Sequence, residues 1–130
     1  MIAVKMPNID ESEVNRAALQ AFFGITEDWK LTAEQQRVLL GQPPESTFFK
    51  LKKNRDGRLS IDQLDRISYL MGIHKALRII LGDIKEVERW IHAANDGEPF
   101  SGSSALDRML AGKMEDLAAV RRYLDVERGG

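Results

Sequence analysis

The chain has 130 residues, of which 43% are hydrophobic, enough for one compact domain or two small helical ones that share a core. It has no cysteine, which excludes a disulfide scaffold, a thiolate zinc site and a cysteine nucleophile. Its 19 basic and 20 acidic residues nearly cancel, which argues against a protein that coats nucleic acid over its whole surface. Because no apolar run approaches the roughly 20 residues of a membrane helix or forms a signal peptide, we expect a cytoplasmic protein with no membrane partner.

The spacing of apolar residues predicts an all-α, compact multi-helix fold without strands. Eight predicted helices begin, in chain order, after Asp10 or Ser12 and at about Ala33, Glu45, Ile61, His74, Ile84, Leu106 and Met114. Capping boxes at Thr32 and Asp83 set two of these starts. Four helices are expected to end at the glycines Gly24, Gly41, Gly72 and Gly112.

The chain is expected to divide into three parts. Residues 1–30 are an N-terminal extension with the first helix, residues 31–82 a helix-turn-helix domain, and residues 83–130 a second helical half. The helix-turn-helix is indicated by the short turn Gly41–Pro44 between the second and third predicted helices. No Ser/Gly/Pro-rich linker separates the last two parts.

The third predicted helix has two unlike faces. At about 100° per residue, one side carries Phe48, Phe49 and Leu51, and the other carries small polar residues and lysines. Residues 45–60 hold an excess of three positive charges, which is typical of a surface that meets DNA. Lys52 lies on the apolar side and is expected to extend toward a phosphate. The predicted DNA-binding residues are Ser46, Thr47, Lys50, Lys52, Lys53, Asn54 and Arg55. An ordinary solvated helix face explains the same pattern equally well.

Other motifs argue against an enzyme, a metal site or a bound cofactor. The segment 54–62 resembles part of a calcium loop, but Lys52 and Gln63 stand where acidic ligands belong. The two histidines, His74 and His92, lie on different predicted helices and have no partner at ligand spacing. Acidic pairs such as Glu115 and Asp116 are interpreted as solvated faces.

Several blocks of the second half, in this order, carry a resemblance to a known family. They are Trp90–Asn95, Pro99–Gly102, Ser104–Gly112, Leu117–Asp125 and Arg128–Gly130. The chain resembles the Xre/MbcA/ParS-type antitoxins, and the upstream segments 39–41, 64–70 and 76–81 are similar to the same family's N-terminal half. Ala105 stands where the family usually has proline. The match covers nearly the whole chain after about Leu31.

The resemblance implies an antitoxin of a type II toxin–antitoxin system. Its partners would be a RES-domain toxin that consumes NAD and the promoter or operator DNA of its own operon. The C-terminal segment would occlude the toxin's active site, and a homodimer would form within a larger toxin–antitoxin complex. The alternatives are a stand-alone Cro-like regulator with a C-terminal dimerisation domain, and a toxin-binding adaptor without DNA binding.

Helical spacing divides the last helix into a core stripe and a surface. Leu117, Val120 and Leu124 are expected in the core with Leu106, Met109 and Leu110. Arginine and tyrosine often anchor interfaces, and two glycines with a free carboxylate suit entry into a narrow cleft. The predicted toxin-binding residues are Phe100, Ser101, Arg121, Arg122, Tyr123, Glu127, Arg128, Gly129 and Gly130.

Overall fold

The computed structural model describes residues 10–129, and the predicted all-α fold is confirmed there. The helices are α1 (Glu11–Asp28), α2 (Ala33–Leu39), α3 (Glu45–Asn54), α4 (Ile61–Leu81), α5 (Ile84–His92), α6 (Ala105–Met109) and α7 (Met114–Glu127). Between residues 10 and 129 the only β-type pairing is an isolated bridge from Ala94 to Ser104, which closes the loop between α5 and α6. Within the same residues, no helix combines the length and the apolar character that crossing a bilayer requires.

Local capping bonds set most of the helix starts. Helices α2, α4 and α6 begin at reciprocal capping boxes, whose N-cap residues are Thr32, Ser60 and Ser104. Each box links residues three positions apart, so it can form without tertiary contacts. Asp83 caps α5 by accepting a hydrogen bond from the backbone N–H of Lys85. The reciprocal box predicted there is wrong, because the Glu86 carboxylate instead accepts from Arg89.

The prediction that Gly24 ends the first helix is wrong. Helix α1 runs through Gly24 to Asp28, and the chain turns only at Lys30, which has φ +58°. Leu19 and Phe23 on one side of Gly24, and Trp29 on the other, are fully buried. Their burial outweighs the cost of about 1 kcal/mol of a glycine inside a helix.

The predicted break at Gly72 is also wrong, since α4 is one continuous helix of 21 residues. Its apolar stripe, which includes Leu70, Ile73 and Leu77, passes Gly72 without interruption. The guanidinium group of Arg121 in α7 lies so close over Gly72 that a Cβ atom there would overlap it. Glycine at this position therefore leaves room for the Arg121 guanidinium group where it lies, and it does not end the helix.

Helix α4 is the central element, and α1, α5 and α7 pack against it. Helix α3 packs on α1, and α6 packs between α5 and α7. One hydrophobic core runs through both ends of the molecule, from Phe22 in α1 to Leu124 in α7. Arg66 of α4 donates a hydrogen bond of 2.9 Å to the Gly112 carbonyl, which ties the turn before α7 to the centre. The N-terminal and C-terminal helices are thus held at fixed positions around α4.

Candidate functional site

Helix α3 is fixed to the body of the protein by one side only. Phe48 is fully buried, and its ring centroid lies 5.9 Å from that of Phe23 in α1. Leu51 is also buried. The turn before α3 is closed by Arg37, which donates a hydrogen bond of 2.9 Å to the Pro43 carbonyl. The opposite side of α3 is therefore presented to solvent in a defined orientation.

We define the α3 surface as the exposed side chains of this helix that face away from the core: Ser46, Thr47, Phe49, Lys50, Lys53 and Asn54. Lys50 and Lys53 form no ion pair with any carboxylate of residues 10–129. Phe49 was expected on the buried side, and that expectation is wrong because 52% of it is exposed.

Two of the predicted DNA-binding residues have structural partners instead. The Lys52 ammonium donates a hydrogen bond of 2.9 Å to Oε1 of the buried Gln36, whose amide donates in turn to Thr26. The Arg55 guanidinium pairs with Glu27 and lies 4.6 Å from the centroid of the Phe23 ring. Both side chains are only partly exposed, so Lys52 serves the contact of α3 with α2 first, and Arg55 serves the contact of α3 with α1.

A second surface lies where α7 ends beside α4 and the loop that follows α5. Two shallow depressions meet here and share Tyr123 and Glu127 in their walls. We define the C-terminal surface as Ile80, Arg122, Tyr123, Val126 and Glu127. Val126 is 72% exposed and Ile80 is 40% exposed, so this surface carries apolar area that the protein leaves in water.

The expectation that Phe100 lies on the free surface is wrong. Phe100 is only 3% exposed, and its ring packs edge-on against Trp90 and Tyr123, with centroid distances of 5.8 Å and 5.0 Å. The local sequence gave no sign of this, because the two partner rings come from α5 and α7. Phe100 therefore supports Tyr123 from below, while the neighbouring Ser101 is exposed.

The two adjacent arginines of α7 face different ways. The Arg121 side chain lies against Gly72 and pairs with Asp125, and only 34% of it is exposed. The Arg122 side chain is 63% exposed and pairs with Glu115, whose hydrogen bond raises the pKa of Arg122. Arg128 and Gly129 are exposed, and the predicted contact residue Gly130 lies outside the described residues.

An arginine–carboxylate bond holds the elements beneath the C-terminal surface. Asp116 was interpreted as part of a solvated face, and this is wrong because only 8% of it is exposed. One carboxylate oxygen accepts a hydrogen bond of 2.9 Å from Arg108, and the other accepts from the backbone N–H of Lys113. Arg108 also donates to the Pro99 carbonyl, so α6, α7 and the preceding loop are fixed together.

Both histidines bind the same buried tryptophan, a feature that sequence spacing alone could not reveal. The Trp29 indole N–H donates a hydrogen bond of 3.0 Å to Nδ1 of His74 in α4. The Trp29 carbonyl lies 2.7 Å from Nε2 of His92 in α5. Burial lowers the pKa of His74; the Asp28 carboxylate opposes this shift and Arg78 adds to it. Because Nδ1 must accept the indole proton, the bonded form of His74 is the neutral imidazole.

This geometry predicts that stability falls in mild acid. The unfolded chain binds a proton at His74 near pH 6.5, and the folded chain binds it only at lower pH. The contribution of His74 is therefore complete above pH 6.5 and is lost as the pH falls through the folded-state pKa. Loss of the indole bond corresponds to about 1 kcal/mol, or about 3–4 °C in Tm.

Thermal melts of His74→Asn between pH 7.5 and pH 5 provide the check. The asparagine side-chain oxygen can accept the indole bond but does not titrate, so the melting temperature of this variant should depend less on pH. His92→Gln is the matched control, because glutamine keeps a side-chain donor for the Trp29 carbonyl and leaves the His74–Trp29 bond in place. That variant should keep the full pH dependence. Equal pH dependence in His74→Asn and the unchanged protein would contradict this interpretation.

Comparison with known proteins identifies both halves of the chain. Residues 9–72 match the antitoxin Xre-like helix-turn-helix domain, and residues 76–130 match the antitoxin Xre/MbcA/ParS C-terminal toxin-binding domain. The chain belongs to the Xre/MbcA/ParS antitoxin family. This antitoxin is also 46% identical over 124 residues to the uncharacterized protein y4oB of Sinorhizobium fredii, an alignment that spans 95% of this chain and 93% of that protein.

Each of the two described surfaces lies within a different match. The α3 surface lies within the helix-turn-helix match, and the C-terminal surface lies wholly within the toxin-binding match. The antitoxin therefore combines a part suited to DNA with a part suited to a protein toxin. Both matched families are typically not enzymes. Between residues 10 and 129, no group of three or more His, Asp or Glu side chains is placed to hold a metal ion.

Proposed function

We propose that this antitoxin neutralises a RES-domain toxin that consumes NAD, and that it does so by occluding the toxin's active site with its C-terminal segment. The observation that carries the proposal is the toxin-binding match over residues 76–130, whose last described residues project beyond the core. Leu124 is buried, whereas Val126, Glu127, Arg128 and Gly129 are all exposed.

The chemistry of this segment supports the mode of inhibition. Val126 and Tyr123 offer apolar area, and Arg122 offers a planar donor that can bind a carboxylate or a carbonyl. The carboxylate of Glu127 has the charge that a dinucleotide phosphate has, so it can occupy a subsite that holds a phosphate. The packing of Phe100 and Trp90 beneath Tyr123 fixes this ring in advance, which lowers the entropy cost of binding.

We further propose that the antitoxin represses its own operon through the α3 surface. Its two lysines, which form no ion pair with residues 10–129, and its hydroxyl and amide side chains suit phosphate and base-edge contacts in a major groove. Pairing of half-sites on the operator requires a homodimer, which we place within a larger complex with the toxin. We also propose that the DNA-binding part of the chain ends at residue 82 and the toxin-binding part begins at residue 83, because α4 ends at Leu81 and Asp83 caps α5.

Co-expression with the product of the adjacent reading frame tests the toxin proposal. The neighbouring protein alone should stop growth and deplete cellular NAD, and the antitoxin should restore both. The two proteins should purify as one complex, whose mass by light scattering gives the number of antitoxin copies. A neighbouring protein that binds but leaves NAD unchanged would contradict the assignment to a RES-domain toxin. The absence of any complex would contradict the occlusion mechanism.

A further inference from the structure

Helix α3 presents an aromatic ring in the middle of its polar surface. Seven large apolar side chains are exposed in residues 10–129, and Phe49 is the only aromatic one among them. At about 100° per residue, Phe49 lies about 40° from Lys53 and about 60° from Ser46 around the helix. The ring is therefore a neighbour of the residues that we assign to DNA and does not face the core.

Packing restrains the exposed ring. Its centroid lies 5.3 Å from that of Phe48, with an interplanar angle of 72°, which is an edge-to-face contact. Phe48 is fully buried and packs in turn against Phe23. Phe49 is thus held from behind, and its outer face is directed to solvent at little further cost in side-chain entropy when a partner binds.

We propose that Phe49 reads thymine in the operator by packing its exposed ring against the thymine 5-methyl group in the major groove. The proposal rests on the proposed binding of DNA through α3. The thymine methyl is the apolar group among the base edges that the major groove displays, and a phenylalanine ring is a suitable contact for it. Lys50 and Lys53 lie beside the ring, and their positive charges favour binding of a polyanion such as DNA over binding of a protein surface with few acidic residues.

The test removes the methyl groups from the DNA without changing its base pairing. The region upstream of the gene is amplified once with dTTP and once with dUTP, and binding of both fragments is measured by gel shift. The antitoxin should bind the methyl-free fragment about three- to fivefold more weakly for each methyl contacted. Phe49→Ala should bind both fragments equally, with an affinity no higher than that of the unchanged protein for the methyl-free DNA.

Matched variants separate this contact from general effects. Lys50→Ala should weaken binding to both fragments by the same factor and so preserve their ratio. Phe49→Leu should retain part of the ratio, because leucine is apolar but smaller and not braced by Phe48 in the same way. Circular dichroism should show that these variants keep the helical content of the unchanged protein, since Phe49 is half exposed and Phe48, which anchors α3 in the core, is unchanged.

The other outcomes contradict either the role of Phe49 or the binding of DNA through α3. Specific binding to the promoter with equal affinity for both fragments would overturn the role of Phe49 and leave the proposed repression standing. A methyl preference that survives in Phe49→Ala would overturn it as well, because another residue would then read thymine. Binding no tighter than to an unrelated fragment of equal length would contradict DNA recognition by α3 and this inference with it.

Discussion

Removal of residues 126–130 is expected to abolish neutralisation of the toxin while the antitoxin stays folded. The last core residue, Leu124, remains in place, and the Arg121–Asp125 ion pair is retained. The described residues that are lost, Val126 to Gly129, are all exposed, so little stability is lost with them. The affinity for the toxin should fall about 100-fold or more, which corresponds to about 2.8 kcal/mol. Growth rescue and a titration of the purified proteins measure the effect.

The adjacent arginines of α7 supply a matched control for this experiment. Arg122→Ala removes an exposed donor from the C-terminal surface and should weaken toxin binding about tenfold. Arg121→Ala removes the same type of side chain, but from the contact with Gly72. It should leave the affinity for the toxin within about twofold of that of the unchanged protein. Full neutralisation by the truncated protein would contradict occlusion by the C-terminal segment. A stronger effect of Arg121→Ala than of Arg122→Ala would contradict our choice of surface.

The double variant Lys50→Ala/Lys53→Ala is expected to lose operator binding by about 100-fold or more at physiological salt. Both ammonium groups are exposed and have no internal partner in the described part of the chain, so the change removes DNA contacts without removing a structural bond. If both lysines contact phosphates, the slope of log K against log salt concentration should fall in magnitude by about 1.8. Fluorescence anisotropy over a series of salt concentrations measures both quantities.

Two control variants test whether the loss of operator binding is specific to Lys50 and Lys53. Lys75→Ala/Lys85→Ala changes the net charge equally at exposed positions outside α3 and should leave operator binding nearly unchanged. Lys52→Ala should mainly lower the melting temperature, because Lys52 donates to Gln36. Unchanged affinity and salt slope in the Lys50→Ala/Lys53→Ala variant would remove α3 from the DNA surface. Failure of the unchanged protein to bind its operator would favour an adaptor that binds only the toxin.

Local chemistry explains which helix boundaries could be predicted. The capping boxes at Thr32 and Ser60 are short-range, since each links residues three positions apart, and the predicted starts of α2 and α4 agree with the structure. Gly24 and Gly72 misled the prediction because their local preference to end a helix is worth only about 1 kcal/mol. Burial of Phe23 and Trp29 around Gly24, and of Leu70, Ile73 and Leu77 around Gly72, provides more than that.

The same distinction applies to the candidate sites. Helical periodicity correctly directed Lys50 and Lys53 to solvent and Leu117, Val120 and Leu124 to the core. It failed for two aromatic residues. Phe49 is exposed although it follows the buried Phe48, and Phe100 lies in a loop where no period applies. Their environments depend on which other helices lie nearby, and a single sequence does not contain that information.

By itself, the amino-acid sequence determined the all-α class, the positions of most helix caps, the resemblance to an antitoxin family and the cluster of basic residues around α3. Only the tertiary structure decided which of the basic side chains in and next to α3 are available to a partner. Lys52 and Arg55 are held by Gln36 and Glu27, which lie 16 and 28 positions away along the chain. Such bonds exist only after folding brings distant helices together, whereas caps and periodicity act within a single helix.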